Sequence, residues 1–317
     1  PCKAAQWQAA CLALWPTTAR QLEAEAVLHM RCSSAGGKRQ QWQHALAVFA
    51  SRLHGGLEPD VQAFNSVISA CGKGKQWSLA LQLWAGMGSA LLRPDTITCN
   101  SVVSACGKGS QLQAALGVLA AMGQDSLVPD VITYSAAISA CEKGKAWESA
   151  FRLLEQTCEA ELEPDVLMCS AVISACEKGD QWGLAVELLG DMWRSRLTPD
   201  VITYNAVISA CGNCYLWELS LGFLEQMRTR SLVPDVISYN AAIVACGKCE
   251  RGQAALAVWA EMWRSSMKPN TVTYNALIST CEKALRWDLA LALLGEMRQR
   301  LLHPDVITYS ATIAACE

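Results

Sequence analysis

The chain has 317 residues, 52% of them hydrophobic, which is enough for one or two ordinary domains with a sizeable core. Its formal net charge of −3 argues against a general polyanion binder, because such proteins carry an excess of Lys and Arg to neutralise phosphates. Any contact with nucleic acid must therefore be local. No apolar run approaches the ~20 residues that a membrane-spanning helix needs, so no contact with a membrane is expected.

A 35-residue repeat runs through the sequence and is marked by proline. Eight prolines follow one another at this interval, and each is followed by Asp except Pro269, which is followed by Asn270. They are Pro59, Pro94, Pro129, Pro164, Pro199, Pro234, Pro269 and Pro304. We number the repeat so that position 35 is this Asp and position 1 is the next residue. A fixed period of this length is typical of a solenoid of stacked supersecondary units.

The repeat frame divides the chain into three parts. Residues 1–60 are predicted to be degenerate N-terminal repeats, because Lys38, Trp42 and Ala45 keep the register while the rest of the pattern is lost. Residues 61–305 hold seven repeats, and 306–317 are a truncated eighth. Glu23 and Glu25 are unlike the acid-poor composition of a transit peptide, so we expect any import signal to lie outside this sequence.

Each repeat is predicted to form two helices, A and B, separated by a polar break such as Gly72–Gly74. In both helices the apolar residues recur at helical spacing. For helix A they are Val201, Tyr204, Val207, Ile208 and Cys211, and for helix B they are Trp182, Ala185, Val186, Leu189 and Met192. A single hairpin of this size cannot bury its own apolar stripe, so neighbouring hairpins must stack. The sequence therefore predicts an all-α solenoid of helix-turn-helix repeats, with its concave face as the binding surface.

The Pro-Asp segment and the small residues of helix B fit this arrangement. Proline cannot continue a helix, so it ends helix B, and the Asp that follows lies where its carboxylate can cap the next helix A. Alanine occupies position 20 in most repeats, for example Ala80 and Ala290, where a small side chain lets helices A and B approach closely.

Sixteen cysteines suggest packing and a reducing compartment here. Eight of them, from Cys71 to Cys316, occupy position 11 of successive repeats and have no local pairing partner. Two Cys-x-x-Cys pairs begin at Cys211 and Cys246, but the gap between the pairs is longer than in a zinc ribbon, so no metal site is expected. Trp at position 17 opens the stripe of helix B and is interpreted as packing. These tryptophans are Trp42, Trp77, Trp147, Trp182, Trp217 and Trp287.

The repeat resembles that of the pentatricopeptide repeat (PPR) family, in its P-type form. The likeness rests on the 35-residue period, the Val-Ile-Thr-Tyr-Asn opening of helix A at 201–205, the Ala-Leu-x-Leu of 290–293, Met at position 27 and the closing Pro-Asp. Tetratricopeptide arrays have a period of about 34 residues and a Trp-Leu-Gly-Tyr signature that is absent here. The resemblance implies a right-handed superhelix that is not an enzyme and binds single-stranded RNA, one base per repeat.

The resemblance also implies which residues recognise the base, namely those at positions 5 and 35, which we call the recognition pair. The pairs are Asn65 with Asp95, Asn100 with Asp130, Ser135 with Asp165, Ser170 with Asp200, Asn205 with Asp235, Asn240 with Asn270, and Asn275 with Asp305. By the family's code, Asn with Asp specifies U, Ser with Asp specifies G, and Asn with Asn specifies a pyrimidine. Aligned from N to C with 5′ to 3′, these pairs predict a core of UUGGU(C/U)U.

Two further columns are implied to contact RNA. Position 2, the sandwiching column, is implied to pack on base faces and contains Ile97, Ile132, Leu167, Ile202, Ile237, Val272 and Ile307. Position 13, the lysine column, is implied to contact phosphates and contains Lys73, Lys108, Lys143, Lys178, Lys248 and Lys283. Structural interpretations stay open for the lysine column and for the Asp column at position 35. A Lys at position 13 complements the dipole of helix A, and an Asp at position 35 is an N-cap.

Two other classes of function are compatible with the architecture. A protein-binding scaffold would show varied, often aromatic residues in place of the restricted Asn, Ser and Asp set. The chain could also be the recognition arm of an RNA-editing or nuclease enzyme whose catalytic domain lies outside this sequence. No nucleophile–base–acid set or phosphate loop is present, so we expect no cofactor and no small-molecule substrate. The resemblance implies organellar RNA processing, stability or translation, in mitochondria or chloroplasts, with protein partners of an RNA-processing complex.

Overall fold

The computed structural model describes residues 41–54 and 60–316, without the side chains of 41 and 51–54. Most of the predicted degenerate segment, including Lys38, lies outside the described residues. The described chain consists of helices joined by short turns, and it divides into two compact units at 164/165.

The first unit contains seven described helices. They are α1 (Gln41–His54), α2 (Val61–Lys73), α3 (Trp77–Ser89), α4 (Thr96–Lys108), α5 (Leu112–Gln124), α6 (Val131–Lys143) and α7 (Trp147–Glu159). The second unit contains nine: α8 (Val166–Lys178), α9 (Trp182–Arg194), α10 (Val201–Asn213), α11 (Trp217–Thr229), α12 (Val236–Lys248), α13 (Gly252–Arg264), α14 (Thr271–Lys283), α15 (Trp287–Gln299) and α16 (Val306–Ala314).

The helices of the seven full repeats follow the repeat frame, so that helix A covers positions 1–13 and helix B covers positions 17–29. Within each unit, helix A packs against helix B of its own repeat and against helix A of the next, as α2 packs on α3 and α4 and α12 packs on α13 and α14. The predicted all-α class and the stacking of helix-turn-helix repeats are confirmed. No described helix has the length and apolar composition needed to cross a bilayer.

The residue at position 35 begins every helix A. Asp95 has an extended backbone, its carboxylate accepts a hydrogen bond from the backbone N–H of Thr98, and the Thr98 hydroxyl in turn accepts one from the backbone N–H of Asp95. This reciprocal capping box also occurs at Asp130, Asp235, Asn270 and Asp305. The N-cap interpretation of the position-35 column is therefore confirmed.

The core of each repeat forms where the stripes of helices A and B meet. Position 20 is fully buried, as at Ala80, and the position-11 thiols from Cys71 to Cys281 are buried as well. Burial raises the pKa of Cys71 to about 12, because a thiolate is poorly solvated there. The packing interpretation of this cysteine column is confirmed from Cys71 to Cys281, whereas Cys316 in the truncated repeat is exposed. No group of three potential metal ligands occurs among the described residues.

Tryptophans of the column pack between repeats where a glycine faces them, whereas Trp182 and Trp287 are exposed. A Cβ on Gly109, at position 14, would lie 2.3 Å from Cδ1 of Trp77 in the preceding repeat, so glycine makes room for the indole. The packing interpretation of the tryptophans is confirmed for this pair and for the equivalent Trp42 and Gly74. Where Cys214 occupies position 14, its thiol instead donates to the carbonyl of Asp180 in the preceding repeat, at 3.3 Å.

Candidate nucleic-acid interface

The recognition pairs of the first unit are in direct contact. Nδ2 of Asn65, on α2, donates to the Asp95 carboxylate at 3.1 and 3.3 Å, and Nδ2 of Asn100 on α4 donates to Asp130 at 3.1 and 3.2 Å. The two residues of a pair are 30 apart in sequence but meet because helix A packs alongside the next helix A, at whose start the Asp lies. Both of these pairs therefore span the junction of two repeats.

The second unit repeats this geometry. Nδ2 of Asn205 lies 3.1 Å from Asp235, and Nδ2 of Asn275 lies 3.1 Å from both carboxylate oxygens of Asp305. The substituted pair is looser, with 3.4 Å between Nδ2 of Asn240 and Oδ1 of Asn270. Asn205 and Asn240 are buried, so only a small part of each amide reaches the surface.

The serine at position 5 behaves differently. The Ser170 hydroxyl donates to the carbonyl of Val166 in its own helix at 2.6 Å and contacts the hydroxyl of Thr203 at 2.6 Å. The Thr203 hydroxyl lies 2.8 Å from Oδ1 of Asp200, so it stands between the two members of this pair. Ser135 is half-buried on α6, and Asp165 caps α8.

A third residue joins the recognition pairs and was not predicted from the sequence. This is the Thr or Ser at position 3, whose hydroxyl lies between the position-5 amide of the preceding repeat and the position-35 side chain of that repeat. For Thr98 the distances are 2.5 Å to Oδ1 of Asn65 and 2.7 Å to Oδ1 of Asp95. The signal was present in the sequence: every Asn at position 5 is followed 33 residues later by Thr or Ser.

Four carboxylates that pair with an Asn, those of Asp95, Asp130, Asp235 and Asp305, are held in their charged form. Burial by itself would raise the pKa of Asp95, but hydrogen bonds from the hydroxyl and backbone N–H of Thr98 and from Asn65 outweigh it, so the pKa is lowered. The same balance of causes lowers the pKa of Asp130 and Asp235. A recognition pair of Asn and Asp therefore presents an amide N–H next to an ionised oxygen.

The sandwiching column lies one turn before position 5, at the start of each helix A. Its side chains are 57–72% exposed, an unusual position for large apolar groups. They are Ile97, Ile132, Leu167, Ile202, Ile237, Val272 and Ile307. This repeated row of exposed apolar surface beside polar groups is suited to stacked, flat, apolar faces with polar edges.

The lysine column lies at the other end of helix A. Position 13 is eight residues beyond position 5, about 12 Å along the helix axis. Nζ of Lys143 donates to the carbonyl of Gly107 in the preceding repeat at 3.2 Å, and Nζ of Lys248 donates to Oδ1 of Asn213 at 2.7 Å. Lys143 thus has the helix-terminal role that the dipole interpretation expects. Contact of the column with phosphates stays a prediction.

Fold and site together define a class of protein: a solenoid of helical hairpins that carries one polar pair and one exposed apolar side chain per repeat. The PPR repeat family matches residues 94–143, 199–248, 234–283 and 269–317, more than half of the chain. The pentatricopeptide repeat domain matches residues 152–214, and the PPR repeat matches residues 62–90. The chain belongs to the pentatricopeptide repeat family. No curated protein is significantly similar to it in sequence.

Solved structures share the fold. Maize PPR10 superposes with a TM-score of 0.61 at 22% identity, over 89% of this chain and 45% of PPR10. PPR10 in complex with an 18-nt psaJ RNA element superposes with a TM-score of 0.59 at 22% identity, over 89% of this chain and 46% of PPR10. The PPR domain of Arabidopsis thaliana protein-only RNase P 1 in complex with tRNA superposes with a TM-score of 0.50 at 15% identity, over 56% of this chain and 94% of that domain. The chain spans somewhat less than half the length of PPR10.

Proposed function

We propose that this chain binds single-stranded RNA sequence-specifically, with one nucleotide bound per repeat. The observation that carries the proposal is the repeated recognition pair, in which a fixed amide and an ionised carboxylate lie beside an exposed apolar side chain. A base has an apolar face and a polar edge, so it matches both features of the site. The neighbours solved with RNA, PPR10 with an 18-nt psaJ RNA element and the PPR domain of protein-only RNase P 1 with tRNA, support RNA in general as the ligand.

The pair of Asn and Asp favours uracil on chemical grounds. Nδ2 of Asn100 carries two hydrogens, and among the described residues its only acceptor is the carboxylate of Asp130, so a second N–H is available to a base oxygen. The carboxylate can accept a hydrogen bond from N3–H of uracil. Cytosine has a lone pair at N3 instead of a hydrogen, and this lone pair would face the negative charge. Such pairs therefore discriminate U from C.

The substituted pair favours cytosine within the predicted pyrimidine. Oδ1 of Asn270 accepts from the backbone N–H of Thr273 at 3.0 Å, as the equivalent Asp oxygen does elsewhere. Its other amide atom is then Nδ2, a donor at the place where Asp presents an acceptor. A donor matches N3 of cytosine. The shorter serine of Ser135 and Ser170 leaves room for a purine, which fits the two G positions of the UUGGU(C/U)U core.

A binding assay tests the proposal directly. The purified chain should bind a single-stranded RNA containing UUGGUCU more tightly than a scrambled RNA of equal length and composition, as measured by fluorescence anisotropy. Equal affinity for the two RNAs would refute sequence-specific binding. The proposal also includes organellar transcripts as the targets, an effect on their processing, stability or translation, and protein partners in the organelle. These parts of the proposal rest on family membership only.

A further inference from the structure

We infer that the hydroxyl at position 3 of one repeat is the positioning group that orients the base-recognising amide of the repeat before it. Every Thr or Ser at position 3 is fully buried and so cannot be a contact surface itself. The hydroxyls that face a position-5 Asn belong to Thr98, Thr133, Ser238, Thr273 and Thr308, whereas the hydroxyl of Thr203 faces Ser170. The inference rests on the proposed function, because it explains how the recognition pairs acquire their base preference.

A count of hydrogens assigns the direction of the bond. The Thr308 hydroxyl has one hydrogen and two neighbouring acceptors, Oδ1 of Asn275 at 2.6 Å and Oδ1 of Asp305 at 2.9 Å. Oδ1 of Asp305 already accepts from the backbone N–H of Thr308 and from Nδ2 of Asn275. If the hydroxyl donated to Asp305, Oδ1 of Asn275 would face an oxygen lone pair at 2.6 Å. The hydroxyl therefore donates to the amide oxygen.

This donation sets what the amide presents to a ligand. Oδ1 of Asn275 is held inward on the hydroxyl, so Nδ2 points to the carboxylate and to the surface. The same arrangement occurs at Asn65, Asn100, Asn205 and Asn240, where the hydroxyls are those of Thr98, Thr133, Ser238 and Thr273. An amide without this donor would bury an unsatisfied oxygen, and rotating toward water to satisfy it would move the N–H away from the base.

The sequence supports the pairing independently of the distances. Position 3 is not uniformly Thr or Ser, since Ala63 and Met168 also occupy it. Neither of these residues follows an Asn at position 5 by 33 residues: position 5 in the repeat before Met168 is Ser135. After the two Ser at position 5, the position-3 hydroxyl occurs once, as Thr203, and is replaced once, by Met168. A hydroxyl needed only for capping helix A would have no reason to accompany every Asn, whereas a hydroxyl that orients an amide would.

The test removes one hydroxyl and follows one nucleotide. In Thr133→Val a methyl replaces the hydroxyl that serves Asn100, whose repeat is expected to bind nucleotide 2 of the core. We expect the preference for U over C at nucleotide 2 to fall roughly tenfold, the loss of one hydrogen bond, while the preference at nucleotide 5 stays unchanged. Thr133→Ser restores the hydroxyl and should restore the preference.

Matched controls separate positioning from stability. Thr157→Val removes a fully buried hydroxyl of the same unit that bonds only to the carbonyl of Leu153, so base preference should not change at any nucleotide. A Thr133→Val chain that keeps its preference at nucleotide 2, or loses preference equally at nucleotides 2 and 5, would overturn the inference.

A measurement without RNA keeps the inference distinct from the proposed function. The side-chain amide of Asn100 should give a dispersed, slowly exchanging pair of NMR signals that Thr133→Val collapses and Thr133→Ser preserves. If the wild-type chain showed no base preference, the proposed function would fall while this readout still decided the orientation. An Asn100 amide unaffected by Thr133→Val would overturn the positioning role.

Discussion

The sixth recognition pair offers a single-atom test of base specificity. Asn270→Asp replaces the outward Nδ2 with a carboxylate oxygen and keeps the shape of the side chain. Oδ1 already accepts from the backbone N–H of Thr273 at 3.0 Å, so the new residue should cap α14 as the aspartates cap other helices. Asn240 then faces a charge in place of a neutral oxygen at 3.4 Å. The substitution should preserve the fold and reverse the base preference at nucleotide 6.

The magnitude follows from two changed contacts. The donor lost by Asn270→Asp removes one hydrogen bond to N3 of cytosine, and the acceptor gained adds one from N3–H of uracil. Each is worth about 1.4 kcal/mol, a factor of ten, so the ratio of U to C affinity at nucleotide 6 should rise about a hundredfold. Fluorescence anisotropy with RNAs containing UUGGUCU and UUGGUUU, at one fixed salt concentration, measures this ratio.

The reciprocal substitution is the matched control. Asp305→Asn should shift nucleotide 7 from U toward C and leave nucleotide 6 as it was. Our reasoning would be refuted if Asn270→Asp left the U to C ratio at nucleotide 6 unchanged, or changed it equally at both nucleotides. Thermal unfolding of each variant checks that the repeats remain folded.

Four further predictions concern stability and salt dependence. Leu91→Gly should stabilise the chain by about 0.5–1 kcal/mol in urea unfolding, because Leu91 has a φ of +57°, where a side chain is strained, and an unchanged midpoint would contradict this. Gly109→Ala should destabilise it by about 1–3 kcal/mol, since the new Cβ meets Trp77 at 2.3 Å, and wild-type stability would count against that packing. If Lys108 contacts a phosphate, Lys108→Gln should reduce the slope of log affinity against log salt by about 0.7, whereas a purely structural lysine leaves the slope unchanged. Because the pKa of Asp95 is lowered in the folded chain, this carboxylate contributes stability that is fully present above the ordinary pKa of 3.8 and is lost as pH falls through the lower folded pKa. Asp95→Asn should remove this part of the acid dependence of the unfolding free energy, and a pH profile of stability identical to that of the wild type would contradict it.

The periodic features of the fold were predictable from sequence because they rest on local physical chemistry. A proline every 35 residues ends helix B, the Asp after it caps helix A, and the apolar stripes recur at helical spacing. The cysteine column was also interpretable from sequence. Position 11, which Cys211 occupies, is Cys in every repeat from Cys71 to Cys316, whereas position 14, which Cys214 occupies, is Gly in other repeats such as that of Gly109. These inferences need only the chain direction and the geometry of a helix.

The roles of individual side chains required the neighbouring repeat. In the sequence, Gly74 and Gly109 have the pattern of ordinary loop residues. In the structure, the indole of the preceding repeat occupies the space that a side chain on either glycine would need. The sequence also did not show that Lys143 lies against the carbonyl of Gly107, 36 residues earlier. Both contacts join residues about one period apart, and a repeat pattern alone does not say which side chains meet across a junction.

The sequence by itself determined the helical hairpin, its register and the position of each polar column, because periodicity and capping are local. Only the tertiary structure decided how those columns combine: Asn65, Asp95 and Thr98 lie on two different helices, and the packing of one helix A on the next brings them within hydrogen-bond distance. The physical reason is directional. A hydrogen bond depends on where a donor points, and that direction is set by packing between repeats.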